Sequence, residues 1–336
     1  MTTSQGACKR SSAAARMFSA AAWLGLPGPA QTANATTATE HMLNPAGPAA
    51  AQIAMVWWEM LLVYGAVFII TMVFLVLALA IRRKESIFGI KFVVVAGIVI
   101  PAVILIFMLL STIHTTVELG RQEADFRIKV TSHHWWFEVD YVDHGIIDAN
   151  EINIPAGVVV QFILQSHAVV HSFWVPRLGG KRDMLPDHPT ELFLKSDIPG
   201  NFRGTCTEYC AGPHALMAFR LIAHDPEDFQ RWLARNSRTP QMPTDPRLLH
   251  GRDVFVNEGC AACHAIKGVS DSTTGPDLTL LGSRSTLGAG TIAHTRGGLS
   301  GWIANPEEIK PGNLMPRSYL RSEDLHALTD YLRSLK

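Results

Sequence analysis

Charge is scarce in this 336-residue sequence: Asp, Glu, Lys and Arg together make up 17%, and their formal sum is zero. Without a basic excess, composition gives no reason to expect nucleic acid as a partner. Two long, strongly apolar runs carry no charge at all, residues 60–81 and 92–113. Each run covers the ~20 residues that a helix needs to cross hydrocarbon. A pair of buried core helices is the alternative, and uninterrupted apolar runs of this length argue against it. Cysteine is rare as well. Of five, four fall in two short motifs, and the fifth, Cys8, is given no role. No internal repeat is evident, and at ~100–200 residues per domain the chain has room for two or three.

The segments differ sharply. Residues 1–35 carry Lys9, Arg10 and Arg16, then a short apolar stretch, then Ala33-Asn34-Ala35 with the shape of a signal-peptidase site. They read as an export signal, with a disordered tail as the alternative. Residues 55–115 hold the two predicted spans, about 60–81 and 92–113, with Pro101 expected to kink the second. Between them Arg82-Arg83-Lys84-Glu85 and Lys91 form a short basic loop that belongs in the cytoplasm. Everything after residue 113 then lies outside. Glu59 and Glu85 read as membrane-edge carboxylates. Residues 120–233 alternate in short runs, such as 127–131 and 151–154, broken by Pro155-Ala156-Gly157, which predicts a β-sandwich or barrel. Three prolines in 234–247 mark a semi-rigid linker, and residues 248–336 form a last compact domain with helices at both ends.

Cys260-Ala261-Ala262-Cys263-His264 is the C-x-x-C-H pattern of c-type haem attachment. Each thiol at that spacing can form a thioether to one porphyrin vinyl, and the histidine can reach the iron. A redox dithiol and half of a zinc site are the alternatives. Met315 stands at a suitable separation for the second axial position, and methionine ligation raises the haem potential, which suits electron transfer. Gly251 and Phe255 on a helix before the motif, and an apolar stripe at Leu325, Leu328, Tyr331, Leu332 and Leu335, make this segment resemble class I cytochrome c. In that family the terminal helices cross with a glycine at the contact, and Gly275-Pro276-Asp277-Leu278 is similar to its loop beside the proximal histidine.

Residues 206–217 place Cys206, Cys210, His214 and Met217 within twelve positions. Thiolate and thioether favour soft metals, and imidazole suits copper or zinc. A zinc site that includes His171 and a Cys206–Cys210 disulfide are the alternatives. Met217 argues against zinc, and a disulfide would leave the other donors unexplained.

The run C-x-E-x-C-x-x-x-H-x-x-M, with His171-Ser172-Phe173-Trp174-Val175-Pro176 upstream, resembles the binuclear CuA centre of cytochrome c oxidase subunit II. The resemblance runs from the two spans through residue 233, and with the last domain the chain is similar to members that carry a fused cytochrome c. It implies a multidomain membrane protein: a two-helix transmembrane hairpin, a cupredoxin-like Greek-key β-barrel and an all-α class I cytochrome c domain. By the same resemblance Cys206 and Cys210 bridge two coppers, and His171 and His214 cap one each. Met217 is a weak axial ligand and the Glu208 carbonyl completes the set. The Glu208 side chain would help bind magnesium at the interface with a catalytic subunit. Trp135, in Ser132-His133-His134-Trp135-Trp136-Phe137, matches the family's electron-entry tryptophan, while His133 and His134 are not expected to be ligands. Two positions depart from the family: Ala168 where it commonly has aspartate, and Thr205 where it has glutamine. Neither removes a ligand.

The expected function is that of subunit II of a proton-pumping terminal oxidase in the inner (plasma) membrane, with both termini outside. Its partners would be subunits I and III and a soluble or membrane cytochrome c or another donor. No oxygen chemistry is expected on this chain. A CuA subunit of a nitric oxide or nitrous oxide reductase is the alternative. A copper-delivery or sensor protein, a third class, would not need a c-type haem.

Overall fold

The computed structural model describes residues 42–81, 89–120 and 122–336. The predicted export signal, Cys8 and the basic residues 82–84 with Glu85 lie outside the described residues.

Two long helices come first, α1 (Pro48–Ile81) and α2 (Ile90–Leu119). The charge-free windows of both are almost wholly exposed on the chain itself, 0% and 6% buried. A core helix pair would bury them, so these faces are left for lipid or another subunit. At 34 residues, α1 is ~51 Å long, well beyond the ~30 Å hydrocarbon core. The extra length lies at its start, ahead of the charge-free run. There Ala49, Ala50 and Ala54 are buried, and the Ala46 and Ala50 amides donate to the Arg177 and Leu178 carbonyls. The anchor is thereby joined to the domain it carries. Where α2 approaches Pro101, its ladder widens into a π turn over Val95–Val99. Proline has no N–H to donate and crowds the carbonyl four residues back, and a wider turn accommodates both.

Ten strands follow: β1 (Phe126–His133), β2 (Trp136–Tyr141), β3 (Ile146–Ala149), β4 (Glu151–Pro155), β5 (Val160–Ser166), β6 (His171–Phe173), β7 (Arg182–Met184), β8 (Thr190–Leu194), β9 (Gly200–Thr205) and β10 (Ala218–His224). They form a cupredoxin-like sandwich of a five-stranded sheet, β3-β2-β1-β5-β8, and a three-stranded sheet, β4-β10-β9, with β6 and β7 as a separate hairpin. Burial alternates with period two in β2, where Phe137, Val139 and Tyr141 face the core, as one solvated face requires. In β4 it does not alternate: all five residues are buried. The helix of residues 226–236 packs against this strand, and Glu151 is taken up by Ser285 of the C-terminal domain, which the residue pattern of the strand does not announce.

Helix α3 (Pro226–Asn236) closes the sandwich with Phe229, Trp232 and Leu233. It takes the first three residues of the predicted linker. The next helix, α4 (Pro246–Asn257), takes the last two, and Asp245 caps it by accepting from the Arg247 amide. The remaining domain is helical, with α5 (Arg296–Ala304), α6 (Pro306–Ile309) and α7 (Ser322–Ser334). It is not purely α: β11 (Thr286–Leu287) pairs with β12 (Ile292–Ala293). Helices α4 and α7 cross at Gly251, where an added Cβ would lie 2.1 Å from the Ala327 carbonyl oxygen.

Candidate metal centre

The turn after β9 and the start of β6 bring four donors together. Cys206 and Cys210 are both buried, with sulfurs 3.9 Å apart. That separation is far from a bond, so the disulfide alternative is not realised. His171 Nδ1 lies 3.7 Å from Cys206 Sγ, and His214 Nδ1 lies 3.4 Å from Cys210 Sγ. Met217 Sδ is 4.0 Å from Cys210, and the Glu208 carbonyl oxygen is 3.3 Å from Cys206. His171, Cys206 and Cys210 have their donor atoms within 4.8 Å of one another. His214 stands apart on the second sulfur. The His171 side chain is fully buried, and its Nε2 has no hydrogen-bond partner.

One thiol of the pair is poised to lose its proton. Cys206 is drawn down to about 3, first by the hydrogen bond from Cys210 and against the effect of burial. Cys210, which keeps the shared proton, moves up for the same reason. Thiolate is the form that binds metal. The donor set fits copper: two soft sulfurs in the middle, an imidazole at each end, and a thioether that zinc has little use for.

Backbone geometry holds this loop in shape. Ala211 and Gly212 both take positive φ, 60° and 43°. A Cβ on Gly212 would fall 2.1 Å from the Trp135 ring, so the loop can only turn there with glycine. Trp135 lies against it and donates from Nε1 to the Cys210 carbonyl at 2.9 Å. His133 stacks on Trp136 at 4.2 Å, and burial, then His167, lowers it to about 4. It packs as a neutral ring. Ala168 is exposed, and the Thr205 amide donates to the Trp174 carbonyl in the strand region.

The second site is an apolar cavity of about 250 Å³, walled mainly by the C-terminal domain. Gly259 turns with φ 82°, and Cys260–Ala262 makes a 3-10 turn. The His264 amide donates back to the Cys260 carbonyl. This tight coil brings Cys260, Cys263 and His264 to one wall, and Met315 and Leu314 line the cavity too. His264 Nδ1 donates to the Pro276 carbonyl at 2.8 Å, which leaves Nε2 for a metal. Burial lowers its pKa and so favours the neutral ligand form. Gly275 backs the ring so closely that a Cβ would lie 2.7 Å from it. Paired thiols, a fixed imidazole and a thioether around an apolar space fit a haem attached through thioethers.

Trp135 and Lys310 also line this cavity. Lys310 Nζ donates to the Trp135 carbonyl at 2.8 Å and to the Gly288 carbonyl at 3.0 Å. Burial brings it down to about 7. Thus Trp135 touches the copper loop with its indole and also lines the haem cavity. Reading the sequence missed Lys310, Gly212 and the pair Asp148–Arg284. None carries a motif, and only a shared cavity or a close approach marks them.

Family models match both halves: cytochrome c oxidase subunit II, periplasmic domain, over residues 138–223, and cytochrome c over residues 248–336. The fold and its two sites define a membrane-anchored redox subunit. Among named relatives, cytochrome c oxidase subunit 2 of Alkalihalophilus pseudofirmus is 34% identical over 88% of this chain and 90% of its own. That of Bacillus sp. strain PS3 is 33% identical over 71% and 72%. The solved periplasmic domain of cytochrome oxidase subunit II from Bradyrhizobium japonicum is 25% identical, covering 34% of this chain and 95% of its own, with TM-score 0.33. The chain belongs to the cytochrome c oxidase subunit II family, and carries a cytochrome c domain. It is thus part of an oxidoreductase complex that associates with a catalytic subunit I.

Proposed function

We propose that this chain conducts electrons from a covalent haem c, held by Cys260, Cys263, His264 and Met315, to a binuclear CuA centre. His171, Cys206, Glu208, Cys210, His214 and Met217 hold that centre. Both groups, when bound, supply reversible one-electron sites. The chain's residues supply the rest: two buried sulfurs that would hold the metal pair, a neutral imidazole that would cap each end, and Trp135 as the entry point between cavity and loop. From the copper domain electrons pass to subunit I, which reduces oxygen with proton pumping. Subunit III is a further partner, and the original donor is a cytochrome c or another one-electron carrier. The Glu208 carboxylate, half-exposed and 3.5 Å from Lys181 Nζ, remains free of the copper set for a magnesium ion at that interface. The domains and both termini face the outer side of the membrane, with about 60–81 and 92–113 spanning it, 120–233 forming the copper domain and 248–336 the haem domain.

The observation that carries this reading is the separation of the two imidazoles onto different sulfurs. One tetrahedral ion would gather all four donors around a single point, whereas a bridged pair has a place for each. Purified full-length chain, loaded with haem and copper, is expected to hold two coppers and one haem. Its oxidised electron spin resonance spectrum should show one unpaired electron shared by the copper pair. A single copper, or zinc, would overturn the reading.

A further inference from the structure

The two extramembrane domains meet through polar groups withdrawn from water. Arg284 and Asp148, from different domains and 136 positions apart, form an ion pair with Nε–Oδ1 at 2.7 Å. Both side chains are nearly inaccessible, 6% and 5% exposed. Beside them Glu151 Oε2 accepts from both the amide and the hydroxyl of Ser285 at 2.9 Å. Across the same face the Ala218 amide donates to the Ala289 carbonyl at 3.0 Å, and Leu280 is buried with the sandwich core rather than with its own domain. Lys310 completes the contact through the Trp135 carbonyl.

A mobile domain on a tether would keep its face solvated and polar, because it must return to water. Isolated charges are costly to bury, and they are tolerated only when paired in good geometry. Here both partners, one from each domain, are buried together, and each depends on the other being present. The fit of Gly290 against Ala218, with an added Cβ at 3.1 Å, leaves no room for a slack contact either.

We infer that the cytochrome domain is latched onto the copper domain by the buried Arg284–Asp148 pair, supported by Glu151–Ser285, so that Trp135 is closed to an external donor. The functional consequence rests on the proposed relay: the haem cavity is held permanently at Trp135, and outside electrons can enter only through it. The latch itself is a statement about two protein surfaces.

The test is hydrogen exchange on the full chain in detergent, with haem and copper bound, read at the Ser285 and Ala218 amides. These two amides cross the interface. They are expected to be protected in the wild type. Removing one partner of a buried pair should speed their exchange by on the order of a hundredfold in Arg284→Gln, with partial rescue in Arg284→Lys. Amides of β1 and α7, inside each domain, should not change. Glu151→Ala, placed on the copper domain, should act in the same direction and guards against a folding defect of the haem domain. Hydroxyl-radical footprinting should find Trp135 shielded in the wild type and open in both variants. Rapid exchange at Ser285 and Ala218 in the wild type, or no change in either variant, would overturn the latch. Metal content of the same samples separates the two readings. Protected amides without copper would sink the relay and keep the latch, and free amides with both groups bound would do the reverse.

Discussion

Asp148 shows how one residue can hold a surface together and still weigh on stability. Burial raises its pKa from 3.8 to about 6, opposed by Arg284 and helped by Glu151, itself raised chiefly by burial. The groups facing it are Arg284, Glu151, the Ala149 amide and Tyr141. Because its folded value lies above its unfolded one, its contribution to stability is fully present below about pH 4. That contribution is lost as pH rises through about 6. The stability difference between wild type and Asp148→Asn should therefore shift by on the order of 3 kcal/mol between pH 4 and 7. Denaturant titrations of the full chain across that range would reveal it, and a pH-independent difference would refute it. Trp135 is the other decisive residue. Its replacement by phenylalanine removes the donor to the Cys210 carbonyl, at a cost of about 1–3 kcal/mol if that carbonyl stays buried. Each centre should keep its own spectrum while electron arrival at copper, followed after pulse reduction of the haem, slows. An unchanged rate would exclude Trp135 as the relay.

At the scale of elements, function depends on close approaches of backbone. The crossing of α4 and α7 at Gly251 closes one end of the haem cavity, which Phe255 and Leu328 line. Gly251→Ala would push the helices apart, since the nearest obstacle is the Ala327 carbonyl and not a movable side chain. Overpacking of this kind costs about 1–3 kcal/mol. Thermal unfolding followed at the haem absorption band should show a lower midpoint, with the copper domain's transition unaffected. The crossing was legible early, from one glycine and a helical apolar stripe. The extension of α1 back to Pro48 was not. Charge-free length marks where hydrocarbon is crossed, whereas a helix continues wherever its backbone is satisfied, and residues 48–54 are sheltered by the sandwich.

For the molecule as a whole, the question is whether the haem domain is tethered or docked. A tether works through effective concentration, which falls roughly as the −3/2 power of linker length. A latched domain does not care. Inserting about ten Gly/Ser residues after Gln241, between α3 and α4, should leave the rate of electron arrival at copper unchanged. A tethered donor would instead slow in step with the insertion. The anchor follows the same logic, since hydrogen bonds from Ala46 and Ala50 fix α1 to the copper domain and so orient the domain above the membrane.

The sequence by itself placed the candidate donors. Cys260, Cys263 and His264 sit in one turn, and Cys206, Cys210, His214 and Met217 in one loop, so their spacing already limits what they can bind. Spans and strands were legible for a related reason: their periodicity is local. Only the tertiary structure decided how the two centres face each other. Asp148 and Arg284 meet across 136 positions, and Lys310 reaches Trp135 across 175. Such contacts leave no pattern in the chain, because a buried charge is defined by what surrounds it after folding and not by its neighbours in sequence.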